Sequence, residues 1–553
     1  MTLRAFRLPL VFIILSVIAC TASGQSVQNT SPSIIQSTST STSPATEPAH
    51  TLSTGALQAS AGWPMFHREE SHSGVAEGVG RIDPQSGPRV LAQYRLFDQP
   101  QGDDDLLRLR WTSTLPLADL DGDGTLEIIV TTPDVAPPML ARLNGEPIPN
   151  MVQALKYQPG NPSLQVLWSY KLSSAPGEAG LDTYSPALAD ADGDGLPDVI
   201  FTARDGFVRA LKGTDGSLIW QFNMDRITEA GPMLSDLDGD GIPEVIVVTD
   251  CAGGKVNCPD QDQQAALFVL PLRGQGDIQP LWKFNYPYKM DSAEPVIANI
   301  HGLGKIILAG TWGGELLGVW RADNDEVRSV ALKLRDIEKD MPHDEVPVIR
   351  TSPLVDSTND GTMVVFGWLP TDLNATEARL TSVRLRSENG SLILEPAWTI
   401  RDLDTWKSSP ALIPQADGAN LIVMGYGLGI GPAPAQSGTV GGCQSQYVFG
   451  GVAAVNENGQ IVWKQDFGNA EGNLRASAAV ADMNGDGRPD VIIPSGCYGK
   501  LHAFDAQTGT PEWSLQMGPR TQTSPSIGDL DGDGALEIVL ASYDGQVWVL
   551  GAP

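Results

Sequence analysis

The chain has 553 residues, with 66 acidic against 36 basic side chains and a formal net charge of −30. That imbalance excludes nucleic acid and anionic membrane surfaces as partners, because the protein's field repels them. At this length the chain can bury a large core, or several.

Residues 1–20 read as a targeting segment. Arg4 and Arg7 precede an apolar run from Leu8 to Ala19, which is short for a membrane span. Its end, Val17-Ile18-Ala19-Cys20, resembles the lipobox of bacterial lipoproteins, which implies lipidation of Cys20. Residues 21–60 are rich in Ser, Thr and Gln and predict a disordered tether, since they hold few side chains able to build a core. An anchor followed by a tether places the remainder, residues 61–553, outside the cytoplasm, at the cell surface or in the periplasm. The membrane is then reached through the lipid alone. The other four cysteines, Cys251, Cys258, Cys443 and Cys497, are an even number suited to an oxidising compartment. Three pairings are possible. The expected one is Cys251–Cys258, across a single loop, with Cys443–Cys497 from corresponding loops of neighbouring repeats.

Beyond the tether, a nine-residue acidic frame recurs. It places Asp119, Asp121, Asp123 and Glu127 at positions 1, 3, 5 and 9, and returns as Asp190, Asp192, Asp194 and Asp198. It returns again as Asp236, Asp238, Asp240 and Glu244, as Asp482, Asn484, Asp486 and Asp490, and as Asp529, Asp531, Asp533 and Glu537. Alternating oxygen side chains on a tight glycine loop can converge on one hard cation, and Ca2+ takes six to eight oxygens. An EF-hand is excluded. It needs a glutamate at position 12 and flanking helices, whereas here position 12 is Val130, Phe201, Val247, Ile493 or Leu540, inside a β-branched run. These are strand–loop–strand units.

Each frame follows a small-residue lead-in such as Ser185-Pro186 or Ser524-Pro525. The same lead-in at Glu294-Pro295, Ser352-Pro353 and Ser409-Pro410 marks three further units that have lost ligands, near Asn299, Asp356 and Asp417. A turn and another strand come next, with Asp205-Gly206 and Asp544-Gly545 as I′-type hairpin signals. The last strand carries a tryptophan: Trp168, Trp220, Trp282, Trp398, Trp463 or Trp513. Four short strands per unit predict an all-β, eight-bladed β-propeller, with seven blades as the alternative. The eighth unit ends at Leu550 one strand short, and 89–97 is an unmatched strand, so the N-terminal strand should close the ring. The one helix expected is short, near Asp336–Asp340.

These frames resemble the FG-GAP/VCBS repeats of integrin α-subunit propellers and many bacterial surface proteins. The resemblance implies Ca2+ in the five intact loops. Ala503-Phe-Asp505-Ala-Gln-Thr508-Gly509 ending at Trp513 resembles the tryptophan-docking pattern of PQQ-type quinoprotein propellers, and Trp63-Pro-Met-Phe66 with His72-Ser-Gly74 resembles their entry segment. That pattern packs blades and says nothing of a cofactor. No nucleophile elbow, His-Glu-x-x-His or phosphate loop is present, so no catalytic residues are assigned. The resulting expectation is a monomeric, calcium-stabilised binding protein for an extracytoplasmic protein or carbohydrate ligand. The alternatives are a lyase-like polysaccharide enzyme, with Arg335, Lys339, His343 and Arg350 as candidate channel-mouth residues, and an envelope-assembly scaffold.

Overall fold

The β-branched run after each acidic frame is buried along its whole length, as in Glu127–Thr131 and Glu244–Val248, so it must be covered on both faces. A last strand such as Gln165–Lys171 sets buried Trp168 among more exposed neighbours and ends its sheet. In the computed structural model, residues 62–552 are described apart from internal stretches, the longest being 97–113, 132–149, 173–183, 370–377 and 428–449. Within them eight antiparallel sheets of four core strands form eight blades. The seven-bladed alternative is set aside.

Blade 1 runs Leu117–Ala118, Glu127–Thr131, Met151–Lys156 and Gln165–Lys171. Blades 2 to 7 repeat that order, opening with Ala187–Ala189, Met233–Ser235, Val296–Ile300, Leu354–Thr358, Ala411–Ile413 and Ala479–Asp482. Blade 8 has three strands from the C-terminus, Ser526–Gly528, Glu537–Ala541 and Gln546–Gly551. Its fourth is Arg89–Arg95, which pairs antiparallel with Gln546–Gly551 from Arg89↔Gly551 to Arg95↔Gln546. The ring therefore closes by the strand expected from the sequence, and no blade is left with a three-stranded edge.

The units that lost their acids still form blades. Val296–Ile300 and Gly304–Gly310 make a tight hairpin, and Asp356 bonds its blade to the next through the Asn420 side-chain amide, 3.0 Å away. Two local expectations need correction. The helix is Leu334–Ile337, earlier than expected, because Leu334 is the residue that can be buried there. At Asp205-Gly206 only Gly206 takes positive φ, 85°, so the turn is not type I′; Asp205 instead pairs with Arg209 at 2.6 Å. Asp544 lies outside the described residues.

Adjacent blades are locked by their tryptophans. Trp168 Nε1 donates to the Gly213 carbonyl at 2.6 Å, Trp220 to Leu272 at 2.7 Å, Trp398 to Glu457 at 2.7 Å and Trp463 to Ala506 at 2.8 Å, each one blade onward. Trp513 lies against Gly87, on the approach to the closing strand. A second belt runs through the lead-in serines. The amide of Ser352 donates to Ser409 Oγ, that of Ser409 to Ser477 Oγ and that of Ser477 to Ser524 Oγ, all at 2.9 Å. Thus each of these three hydroxyls satisfies the lead-in amide of the blade before it.

The entry segment has a role that its sequence does not reveal. Residues 63–74 offer backbone carbonyls to the first strands of six blades: Trp63 to Leu117, Pro64 to Leu188, Glu70 to Ile297, Ser71 to Val355, Ser73 to Leu412 and Gly74 to Val480, at 2.7–3.0 Å. Six first strands can reach one short segment only if they converge on it, so residues 63–74 occupy the propeller axis. In blade 3 the Lys305 ammonium makes the link, at 3.1 Å from Ser235 Oγ and 2.8 Å from Glu70 Oε2. His67 and His72 are fully buried there. The segment leaves beside Ala479–Asp482 as the parallel strand Val75–Val79.

Candidate metal centres

Every acidic frame connects the first and second strands of its blade, so all five stand at one register position in the fold. The position-1 aspartate organises the loop. In blade 1, Asp119 Oδ1 accepts the Gly122 amide at 2.7 Å and Oδ2 the Gly124 amide at 2.9 Å. Gly122 and Gly124 have φ of 77° and 90°, a region costly for any residue with a Cβ. The position-9 acid closes the loop, Glu127 Oε2 accepting the Leu120 amide at 2.8 Å. Blade 3 repeats this through Asp236 and Glu244, blade 7 through Asp482 and Asp490, and blade 8 through Asp529 and Glu537.

Four of the frames gather three acids whose ligand oxygens lie within 4.8 Å of one another: Asp119, Asp121 and Glu127; Asp190, Asp192 and Asp194; Asp236, Asp238 and Glu244; Asp529, Asp531 and Glu537. Asp123, Asp240 and Asp533 are outside those sets. Asp198 is outside too, because its carboxylate accepts the Ala191, Asp192 and Gly213 amides instead. In blade 7 no such triad of acids forms among the described residues. There the Asn484 side chain donates to Asp490 and to Glu512, an additional acid from the last strand.

The donor sets differ in what already neutralises them. In blades 3 and 8 no lysine or arginine among the described residues pairs with the three converging acids, and Asp529 Oδ1 is a buried oxygen without a hydrogen-bond partner. Burial, reinforced by the neighbouring aspartates, pushes Glu244 up to about 7 and Glu537 up to about 8. Such crowded, desolvated carboxylates favour a cation or a proton. All-oxygen sets of this kind fit Ca2+, which would be held by Asp236, Asp238 and Glu244, and by Asp529, Asp531 and Glu537, neutralising the repulsion among them. Blades 1 and 2 contain their own cations. Lys156 Nζ lies 3.1 Å from Asp121, 2.6 Å from Asp123 and 2.8 Å from Glu127. Lys212 Nζ lies 2.5 Å from Asp192 and 2.8 Å from Asp194, and Arg273 reaches Asp190 at 2.8 Å. Burial pulls the Lys156 ammonium down, yet its bonds to Asp123, Glu127 and Asp121 outweigh that and hold it above the usual lysine range. None of these basic residues was legible as part of the frames, since each lies well beyond its frame in the chain.

Other sequence candidates are dispersed. Cys251 and Cys258 form a disulfide, as expected. Cys20, Cys443, Cys497 and His343 lie outside the described residues. Arg350 stacks on Trp312, with its guanidinium carbon 4.6 Å from the ring centroid. Lys289 approaches the same ring at 4.9 Å and pairs with Asp250 at 3.2 Å. Arg335 sits on the short helix and Lys339 just beyond it. His502 stacks on Phe467, ring centroids 4.5 Å apart, as a packed strand residue.

Residues 448–552 match the family described as outer membrane protein assembly factor BamB, a stretch that takes in blade 7 and the C-terminal strands of blade 8. No curated protein matches the chain. Among solved structures, a europium-containing methanol dehydrogenase aligns at 12% identity and TM-score 0.54, over 89% of this chain and 98% of that one. The quinohemoprotein alcohol dehydrogenase ADHIIG from Pseudomonas putida HK5 aligns at 12% identity and TM-score 0.52, over 89% and 80%. BamB from Moraxella catarrhalis aligns at 13% identity and TM-score 0.44, over 84% and 98%. At these identities the likeness is one of fold. By its eight sheets and its tryptophan-docked blades, the chain is an eight-bladed β-propeller, similar in fold to the two dehydrogenases.

Proposed function

We propose that this protein is a non-catalytic propeller of the bacterial envelope that binds a protein partner, as a scaffold in envelope assembly, with Ca2+ as a structural element of its acidic loops. The observation that carries this reading is the filled axis. Residues 63–74 bond one amide in the first strand of each of six blades, so among the described residues the axis is occupied by the chain itself, which speaks against a channel for a small substrate. The remaining surfaces are the broad loop faces, which suit a macromolecule. The match of residues 448–552 to an assembly-factor family supports the scaffold form over a carbohydrate-binding one. Membership of the FG-GAP/VCBS repeats, the lipid anchor at Cys20 and the monomeric state belong to the same proposal and rest on the sequence.

The test is retrieval from detergent-solubilised envelopes, with the purified chain as bait and a glycan array run in parallel. The expected result is one or a few envelope proteins recovered in stoichiometric yield, with no array signal. Saturable binding to a polysaccharide, or its cleavage, with no protein recovered would overturn the reading.

A further inference from the structure

We propose that Lys156 and Lys212 are built-in cations that replace calcium in blades 1 and 2, so that the five similar acidic frames form two classes. This rests on the calcium reading of the remaining frames and narrows it.

The argument starts from register. Glu127, at position 9 of the first frame, is paired across the sheet with Lys156. In blade 2, Val199 pairs with Leu211, so the antiparallel register sets Asp198 opposite Lys212. The same place is held by Pro271 in blade 3, one residue beyond Leu270, which pairs with Val245. It is Asp505 in blade 7, where Asp490 pairs with it directly, and Gly551 in blade 8, one beyond Leu550, the partner of Ile538. One sheet position therefore decides whether an ammonium enters the loop. Proline, aspartate and glycine at that position supply none.

Geometry makes the two occupants exclusive. Lys156 Nζ is bonded to one oxygen each of Asp121, Asp123 and Glu127, at 2.6–3.1 Å, and its side chain is 12% exposed. Calcium binds oxygen at about 2.3–2.6 Å. An ion on those same oxygens would lie within a few ångströms of the ammonium, where two positive charges with little intervening water repel strongly. Its entry requires eviction of a side chain whose Cβ is fixed by the sheet. Lys212 repeats the arrangement on Asp192 and Asp194, with Arg273 covering Asp190. In blade 2 the position-9 acid is also withdrawn, its oxygens committed to three backbone amides.

The experiment counts calcium bound to the purified full chain after equilibrium dialysis, by elemental analysis, for wild type, Lys156→Met, Lys212→Met and Asp529→Ala. The expected result is no more than three ions in wild type, one more in each of Lys156→Met and Lys212→Met, and one fewer in Asp529→Ala. Five ions in wild type with no gain in Lys156→Met would overturn the lysine proposal and leave the calcium reading standing. No ion in wild type with one in Lys156→Met would sink the calcium reading of the open frames and keep the lysine's role. No ion in any variant would sink both. If Lys156→Met fails to fold, amine-reactive labelling of wild type decides. Lys156 should be equally protected with and without calcium, and calcium-induced labelling of Lys156 would mean that the ion evicts it.

Discussion

The indole of Trp463 lies flat on Gly509, where a Cβ would come within 2.5 Å of the ring. Gly509 has φ 67°, so both the backbone and the contact select glycine. The same relation joins Trp168 to Gly216 and Trp398 to Gly459. Gly509→Ala should therefore destabilise the chain by roughly 2–4 kcal/mol, combining left-handed backbone strain with overpacking. Gly160→Ala is the control, having φ 79° but nothing within 4 Å. It should cost only about 1–2 kcal/mol. Equal melting temperatures for the two variants would show that the indole contact contributes nothing.

The axial segment should make stability sensitive to acid. Burial lowers His67 to about 4 and His72 to about 3, the charge on His67 also depressing His72. Both stay neutral in the folded state, each donating through Nδ1 to a carbonyl, His72 at 3.1 Å and Pro353 at 2.9 Å respectively. Their folded values lie below the unfolded one, so the unfolded chain binds more protons in that window. The stability they confer is complete above about 6.5 and is lost as the pH falls toward 4, at roughly 1.4 kcal/mol per pH unit per histidine. Denaturant midpoints of wild type and His67→Gln should converge as the pH is lowered from 7 to 4. A constant difference across that range would show that His67 is not held neutral.

Ring closure predicts the outcome of an N-terminal truncation. Deleting residues 61–100 removes the closing strand Arg89–Arg95 and the axial carbonyls together, while every acidic frame remains. The edge of Gln546–Gly551 and the amides of six first strands lose their partners, and exposed edges template association. Size-exclusion chromatography should show aggregates; a soluble monomer with unchanged melting would argue that closure is dispensable.

Calcium removal should act locally. Asp238→Ala and Asp531→Ala each strip one ligand from a frame without an internal lysine, and each should release about one ion and lower the melting temperature in calcium. An ion bound only by the native state contributes roughly 2.7 kcal/mol at a hundredfold excess over its dissociation constant. A chelator should lower the wild-type melting temperature by several degrees. An unmoved melting curve would mean that the frames carry no structural ion.

Blade 8 links these elements. Val79 accepts the Leu536 amide at 3.2 Å, Gly80 donates to Asp482 at 2.7 Å, and Arg81 pairs with Asp533 at 2.9 Å. The axial segment thus leaves the ring against the acidic loops of blades 7 and 8. Arg81→Ala removes an exposed ion pair and should cost no more than about 1 kcal/mol. Gly80→Ala brings a Cβ within 2.4 Å of the Met483 carbonyl and should cost several times more. Comparable melting temperatures would show that this exit is loosely held.

The amino-acid sequence by itself determined the propeller class, the order of strands, the tryptophan positions and the closing strand, while the eight sheets decided eight blades against seven. Each is written in local signals: a β-branched run must be buried, a glycine-rich acidic loop must turn, and a strand without a partner must find one. It also determined which loops are acidic. Only the tertiary structure decided what those acids face. Lys156 is 29 residues beyond Glu127 and no local pattern connects them, yet sheet register sets the pair opposite each other. The axial role of residues 63–74 was hidden for the same reason: their carbonyls meet strands from six blades spread along the chain. Short-range stereochemistry writes strands and turns into consecutive residues, whereas a charge partner or a channel filler is chosen by proximity, which exists only once the ring has closed.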